Sequence, residues 1–96
     1  FAHKSDAARI ASFVASYVEE RGVAAPQGSV GKLVVLKQEF ISATLGIPTQ
    51  KIQTFFDLAK KVKFIGRSGE WVWVPYPQYL VPFGEYLGSK QTQAGI

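Results

Sequence analysis

The chain holds a single histidine and no cysteine, so hydrolytic or metal chemistry would have to begin at His3, with Ser5 and Asp6 beside it. Neighbours in sequence do not make a triad, whose nucleophile, base and orienting acid must converge in a fixed geometry. Thiolate zinc sites and cysteine nucleophiles are excluded by composition. Glu19 and Glu20 read more simply as the solvated end of a helix, since a metal here would need carboxylates in pairs with the one histidine. The glycine pairs Gly28, Gly31 and Gly66, Gly69 have neither the spacing nor the strand-to-helix setting of a phosphate loop. The chain is therefore expected to be no enzyme and to carry no metal and no cofactor.

Base recognition has better material. Between residues 48 and 62, Gln50, Gln53 and Thr54 fall on one side of a helical projection, with Thr49 at its start. Glutamine can give adenine two hydrogen bonds in a major groove, one donated and one accepted. Around this face stand Lys37, Lys51, Lys60, Lys61, Lys63 and Arg67, which suit phosphate contacts. The net charge of +4 is unevenly spread. Residues 30 to 67 hold Lys32 and those six cations against Glu39 and Asp57 alone, whereas the flanking stretches are near neutral. Asp57 is the one group on the polar face that would repel a phosphate.

The elements that must position these residues follow from apolar spacing. Ile10, Phe13, Val14, Tyr17 and Val18 recur with helical period over Asp6 to Glu20, with Ser5 or Asp6 as the cap and Gly22 as a left-handed stop. Val23 to Gly31 is expected as loop and Lys32 to Val35 as a brief strand. Lys37 to Leu45 carries Phe40, Ile41 and Leu45 as a narrow stripe and ends at Gly46. Pro48 can open the next helix, on which Ile52, Phe55, Ala59 and Val62 form the core side. Lys63–Ile65 and Trp71–Val74 are expected to pair as a hairpin whose tip is Gly66 to Glu70. Trp71 and Trp73 alternate with Val72 and Val74. Either the indoles pack beneath the aromatic segment 75–87, or with Tyr76 and Tyr79 they form an exposed patch for a partner or a second copy.

Helix, strand, helix, tight turn, helix and hairpin make up a winged helix-turn-helix order. From Lys37 to Ile65 the chain resembles the DNA-binding domain of the cyclic-AMP-receptor (catabolite activator) family of regulators. The likeness rests on Lys37-Gln38-Glu39 at the start of the first motif helix, Leu45-Gly46-Ile47 at the turn, Ile52 at a buried recognition-helix position, and Phe64-Ile65 at the opening of the wing. Arg9-Ile10-Ala11 with Phe13 would form the preceding helix. The resemblance implies a recognition helix at this place, while the Ser or Thr that usually opens it in that family is Pro48 and the charged base readers are replaced by Thr49, Gln50 and Thr54. The glycine that commonly precedes the wing pair is Lys63.

These readings give an α+β fold, a small winged helix-turn-helix domain with three helices, a two-to-three-stranded β wing and a short C-terminal extension. The domain spans residues 1–87, with motif helices at about 37–45 and 48–62, a wing at 63–74, an aromatic extension at 75–87 and a flexible tail at 88–96. The expected function is sequence-dependent binding of double-stranded DNA as part of a bacterial transcription regulator. A winged helix used for protein interaction or assembly is the alternative, with a homodimer or protein partner on the aromatic C-terminal segment. With no cysteine and no apolar run longer than Leu33 to Leu36, a cytoplasmic location without a membrane span is expected. The start at Phe1 suggests a domain from a longer protein, with an effector or sensor part ahead of it.

Overall fold

A computed structural model describes residues 5–26 and 28–94 of the chain, so His3 lies outside the described residues. Helix α1 spans Asp6–Arg21 and begins where the Ser5 hydroxyl accepts the Ala8 N–H at 3.1 Å. Of the stripe read from spacing, Ile10, Val14 and Val18 are buried, joined by Ala7, Ala8 and Ala11. Phe13 and Tyr17 pack at the margin of the core. The helix does not stop in the left-handed turn expected at Gly22, which is extended (φ −74°, ψ 155°). That geometry sends the chain straight on into β1, Val23–Ala24, a stretch expected as loop. Strand β1 pairs antiparallel with β2, Lys32–Val35, Val23 opposite Leu33.

Helices α2, Gln38–Leu45, and α3, Thr49–Lys61, form the helix-turn-helix. Gly46 takes the left-handed conformation (φ 69°) that glycine adopts without a Cβ clash. Its N–H closes on the Ser42 carbonyl at 2.8 Å, and Ile47 is then driven into the core. Two side chains hold the corner: Ser42 Oγ donates to the Ile47 carbonyl and Arg9 Nη2 to the Leu45 carbonyl, each at 2.6 Å. The Arg9 bond satisfies a carbonyl left open at the end of α2 and ties α1 to the turn. Pro48 is the cap of α3 and not its first residue, its ψ of 142° still being extended.

Ile52, Phe55, Phe56 and Ala59 bury the inner face of α3. Val62, expected on that side, is 48% exposed, because the helix has already ended. The end is a Schellman motif: Lys63 is left-handed at φ 65°, its N–H donates to the Lys60 carbonyl at 3.1 Å, and the Phe64 N–H reaches back to Ala59 at 2.9 Å. Phe64 is consumed in closing this motif and Ile65 follows it into the core. The first wing strand therefore starts three residues later than expected, as β3, Gly66–Ser68. It pairs with β4, Trp71–Val74, across a turn at Gly69 and Glu70. Arg67 accordingly sits within a strand and not at the wing tip.

The sheet has four antiparallel strands in the order β1-β2-β4-β3, against the two or three expected. In β4, Val72 and Val74 face the core and are fully buried. The tryptophans therefore project from the opposite face, away from the C-terminal segment beneath which one reading placed them. Trp73 Nε1–H donates to the Val30 carbonyl at 2.7 Å, and Trp71 is 44% exposed. Opposite Trp73 stands Gly66, whose missing side chain leaves room for the indole.

After a 3-10 turn at Pro77–Tyr79, a fourth helix α4 runs Leu80–Ala94. The sequence suggested an aromatic extension at 75–87 followed by a flexible tail from 88. However, Pro82 lies in the first turn, where its missing N–H has no helical partner to lose, so the helix continues to Ala94, and 95–96 lie outside the described residues. Gly84 and Gly88 share one face of α4; Gly84 meets Ala7, Ala8 and Ala11 of the first helix and Gly88 meets its cap Ser5, so closely that neither could carry a Cβ without displacement. Leu80 is buried, and Phe83 and Leu87 extend the core. The result is an α+β winged helix-turn-helix domain with one helix more than expected. Among the described residues, no helix is long and apolar enough to cross a membrane.

Candidate nucleic-acid interface

Helix α3 is divided cleanly in two. Thr49, Gln50, Lys51, Gln53, Thr54 and Asp57 are all exposed, opposite the buried face of Ile52, Phe55, Phe56 and Ala59. The side chains on the outer face are not equivalent. Thr54 Oγ1 donates back to the Gln50 carbonyl at 3.0 Å, which leaves its methyl group and a lone pair to a partner. Gln53 is held from both sides: its Oε1 accepts from Gln38 Nε2 at 2.8 Å and its Nε2 donates to Asp57 Oδ1 at 2.7 Å. Neither Gln50 nor Thr49 has a side-chain hydrogen bond among the described residues, and both stand at the helix start, where a recognition helix meets base edges.

The cations surround this face unequally. Lys51 Nζ lies 2.8 Å from Asp6 Oδ2, and Arg9 approaches the same carboxylate at 3.8 Å. Lys37 pairs with Glu70 of the wing turn at 3.5 Å. Both lysines are well exposed, so each pair is worth less than ~1 kcal/mol and can open to an incoming phosphate. Lys60, Lys61 and Lys63 are exposed at the other end of the helix and make no ion pair among the described residues. Arg67 shares the core-facing side of the sheet with Val72, and its guanidinium carbon stands 5.9 Å from the Phe56 ring centroid. Its charge thus lies beside α3.

The four aromatic residues proposed as a partner patch divide into two groups. Tyr76 and Tyr79 are 5.4 Å apart, and Tyr79, Phe64, Phe83 and Phe55 continue as a chain of ring contacts at 5.3–5.9 Å that runs to the inner face of α3. Trp71 and Trp73 instead belong to the outer face of the sheet, where they line a shallow hollow with Pro26, Ser29, Leu33 and Ser68. No group of three or more potential metal ligands occurs among the described residues.

Sequence reasoning did not anticipate Gln38, Asp6, Arg9 and Glu70 as part of this region. The Gln53–Asp57 and Asp6–Arg9 contacts carried a signal, i, i+4 and i, i+3 spacing on a helix. The others depend on how α1, α2 and the wing are brought together.

No protein-family model matches the chain, and no curated protein matches it. Among solved structures, the chain is similar to the CO-dependent transcription factor CooA from Carboxydothermus hydrogenoformans in its imidazole-bound form, with a TM-score of 0.71 and 24% identity. The likeness covers 84% of this chain and 37% of that one, so it takes in little more than a third of the transcription factor. At this identity it bears on the fold alone: the chain has a winged helix-turn-helix fold shared with part of a transcription factor.

Proposed function

We propose that the domain binds double-stranded DNA through α3, as the DNA-binding part of a bacterial transcription regulator acting in the cytoplasm. The observation that carries the reading is the outer face of α3: a run of exposed, uncharged hydrogen-bonding side chains with lysines at both ends. Uncharged groups at the helix start can meet base edges, while Lys37, Lys51, Lys60, Lys61, Lys63 and Arg67 meet the backbone and fix register. Asp57 stands at the third turn, so the first two turns of α3 enter the groove and the third remains outside.

The reading is tested by fluorescence anisotropy of a labelled duplex at several salt concentrations. If about four of the six cations displace counterions, log affinity falls against log salt with a slope of roughly −3.6. An intact domain that fails to bind any duplex at low salt refutes it. A second reading rests on the outer face of the sheet, where Val23, Val35 and Trp71 are 54%, 40% and 44% exposed. A patch of this kind suits a protein partner or a second copy. Concentration-dependent association without DNA binding would favour it.

A further inference from the structure

We infer that Asp57 and Gln38 act as positioning residues that lock the side-chain amide of Gln53 in one orientation, so that Gln53 selects adenine over guanine. The inference rests on the DNA-binding reading above and names the base read at one position of the site.

An amide has two donors on nitrogen and two acceptor lone pairs on oxygen, and its two ends are nearly the same size, so an unconstrained glutamine can present either. Asp57 removes that freedom. Its ionised carboxylate only accepts, so the end of Gln53 that lies 2.7 Å away must be the NH2 group. The reverse orientation would set two oxygens against each other. With its nitrogen fixed on Asp57, Gln53 turns its oxygen to Gln38, and Gln38 must then offer its own nitrogen across the 2.8 Å contact. One charge thus sets two amides in series. Gln38 is the first residue of α2 and Gln53 lies in the second turn of α3, so the bond also spans the two helices of the motif.

After these two bonds, Gln53 retains one N–H and one lone pair, both on an exposed side chain. Adenine presents an acceptor at N7 and a donor at N6 in the major groove, which this remainder satisfies. Guanine presents two acceptors, N7 and O6. The locked amide can serve one of them and must set its oxygen against the other. In the absence of Asp57 the amide can turn, and the distinction weakens.

The test takes the 96-residue chain and a pool of random-sequence duplexes, from which bound sequences are recovered and read, followed by anisotropy titrations of single-base variants of the recovered site. Wild type, Gln53→Ala, Asp57→Asn and Gln38→Ala are compared, with circular dichroism melts to establish that each is folded. The expected result is a position at which wild type prefers adenine over guanine by about tenfold or more, lost in Gln53→Ala, reduced to about threefold or less in Asp57→Asn, and between that and the wild-type value in Gln38→Ala, where Asp57 still sets which end of the amide is presented. Affinity of Asp57→Asn for unselected duplex should be unchanged or tighter, since a negative charge has been removed. A merely structural role for Asp57 would weaken both kinds of binding together. If Gln53→Ala or Asp57→Asn binds duplex but keeps the wild-type adenine preference, or if the preference moves with Gln50 and not with Gln53, the inference is overturned and DNA binding stands. If wild type binds no duplex, the proposed function fails and the inference with it.

Discussion

Replacing Lys63 by glycine should make the domain more stable and a poorer DNA binder at once. Lys63 sits at φ 65°, where a side chain crowds the following carbonyl at a cost of about 1–2 kcal/mol. The Schellman bonds on either side, Lys63 N–H to Lys60 at 3.1 Å and Phe64 N–H to Ala59 at 2.9 Å, are made by backbone and survive the change. Glycine removes the crowding but adds freedom to the unfolded chain, which returns about 0.4–1 kcal/mol. The net gain is about 0.5–1 kcal/mol, or a rise of roughly 2–8 °C in Tm for a domain of this size. Lys63→Ala separates the two effects, since it removes the charge but keeps a Cβ in the left-handed position, so its Tm should stay at or below that of wild type. Both variants should lose about one unit of the salt slope for duplex binding if Lys63 meets a phosphate. The assay is a pair of thermal melts by circular dichroism with salt-dependent anisotropy on the same samples. A Tm for Lys63→Gly equal to or below that of Lys63→Ala would refute the argument from backbone strain. An unchanged slope in both would remove Lys63 from the interface.

Asp6→Asn should release Lys51 from its 2.8 Å pair and tighten duplex binding by up to about fivefold, the equivalent of a surface pair worth at most ~1 kcal/mol; anisotropy at low salt reads it, and weaker binding would count against Lys51 as a phosphate contact. Gly84→Ala would place a Cβ 2.4 Å from that of Ala11 and 2.8 Å from the Ala7 carbonyl oxygen. Overpacking of about 1–3 kcal/mol outweighs the ~1 kcal/mol that alanine gains over glycine in a helix, so a net loss of up to ~2 kcal/mol is expected in urea unfolding, and a stabilised variant would contradict the close crossing of α1 and α4. Trp73→Phe loses the indole bond to Val30 and should cost about 0.5–1.5 kcal/mol with no change in the salt slope for DNA.

What the sequence made legible is what repeats along a helix. Ile52, Phe55 and Ala59 recur at helical spacing, and Gly46 marks a turn that only a left-handed residue completes, so the two motif helices can be placed to within a residue or two. The wing register was not legible. Phe64 and Ile65 have every propensity for a strand, yet Phe64 is used to close the end of α3 against Tyr79 and Phe83, a long-range contact that overrides local preference. Alternation in Trp71–Val74 fixes that the indoles share a face, but which face is core depends on β2 and α3. The fourth helix was hidden by Pro82, Gly84 and Gly88. Each reads as a breaker in isolation, whereas the first-turn position of Pro82 and the i, i+4 spacing of the glycines against Ala7, Ala8 and Ala11 make them compatible with a closely packed helix. The polar outer face of α3 was visible as residue types. Its internal bonds were not, because Gln38 and Gln53 are joined only when α2 and α3 cross.

Chemical-shift mapping of the isotope-labelled domain during titration with duplex DNA locates the contact surface on the molecule, because backbone and side-chain amides report it residue by residue. The largest changes are expected at Thr49, Gln50, Gln53 and Thr54 and in the side-chain amides of Gln50 and Gln53, smaller changes at Lys37 and Lys60 to Arg67, and little at the indole N–H of Trp73, which is occupied by the Val30 carbonyl. Changes confined to the outer face of the sheet, around Val23, Leu33, Trp71 and Trp73, with α3 unaffected, would contradict DNA binding through α3.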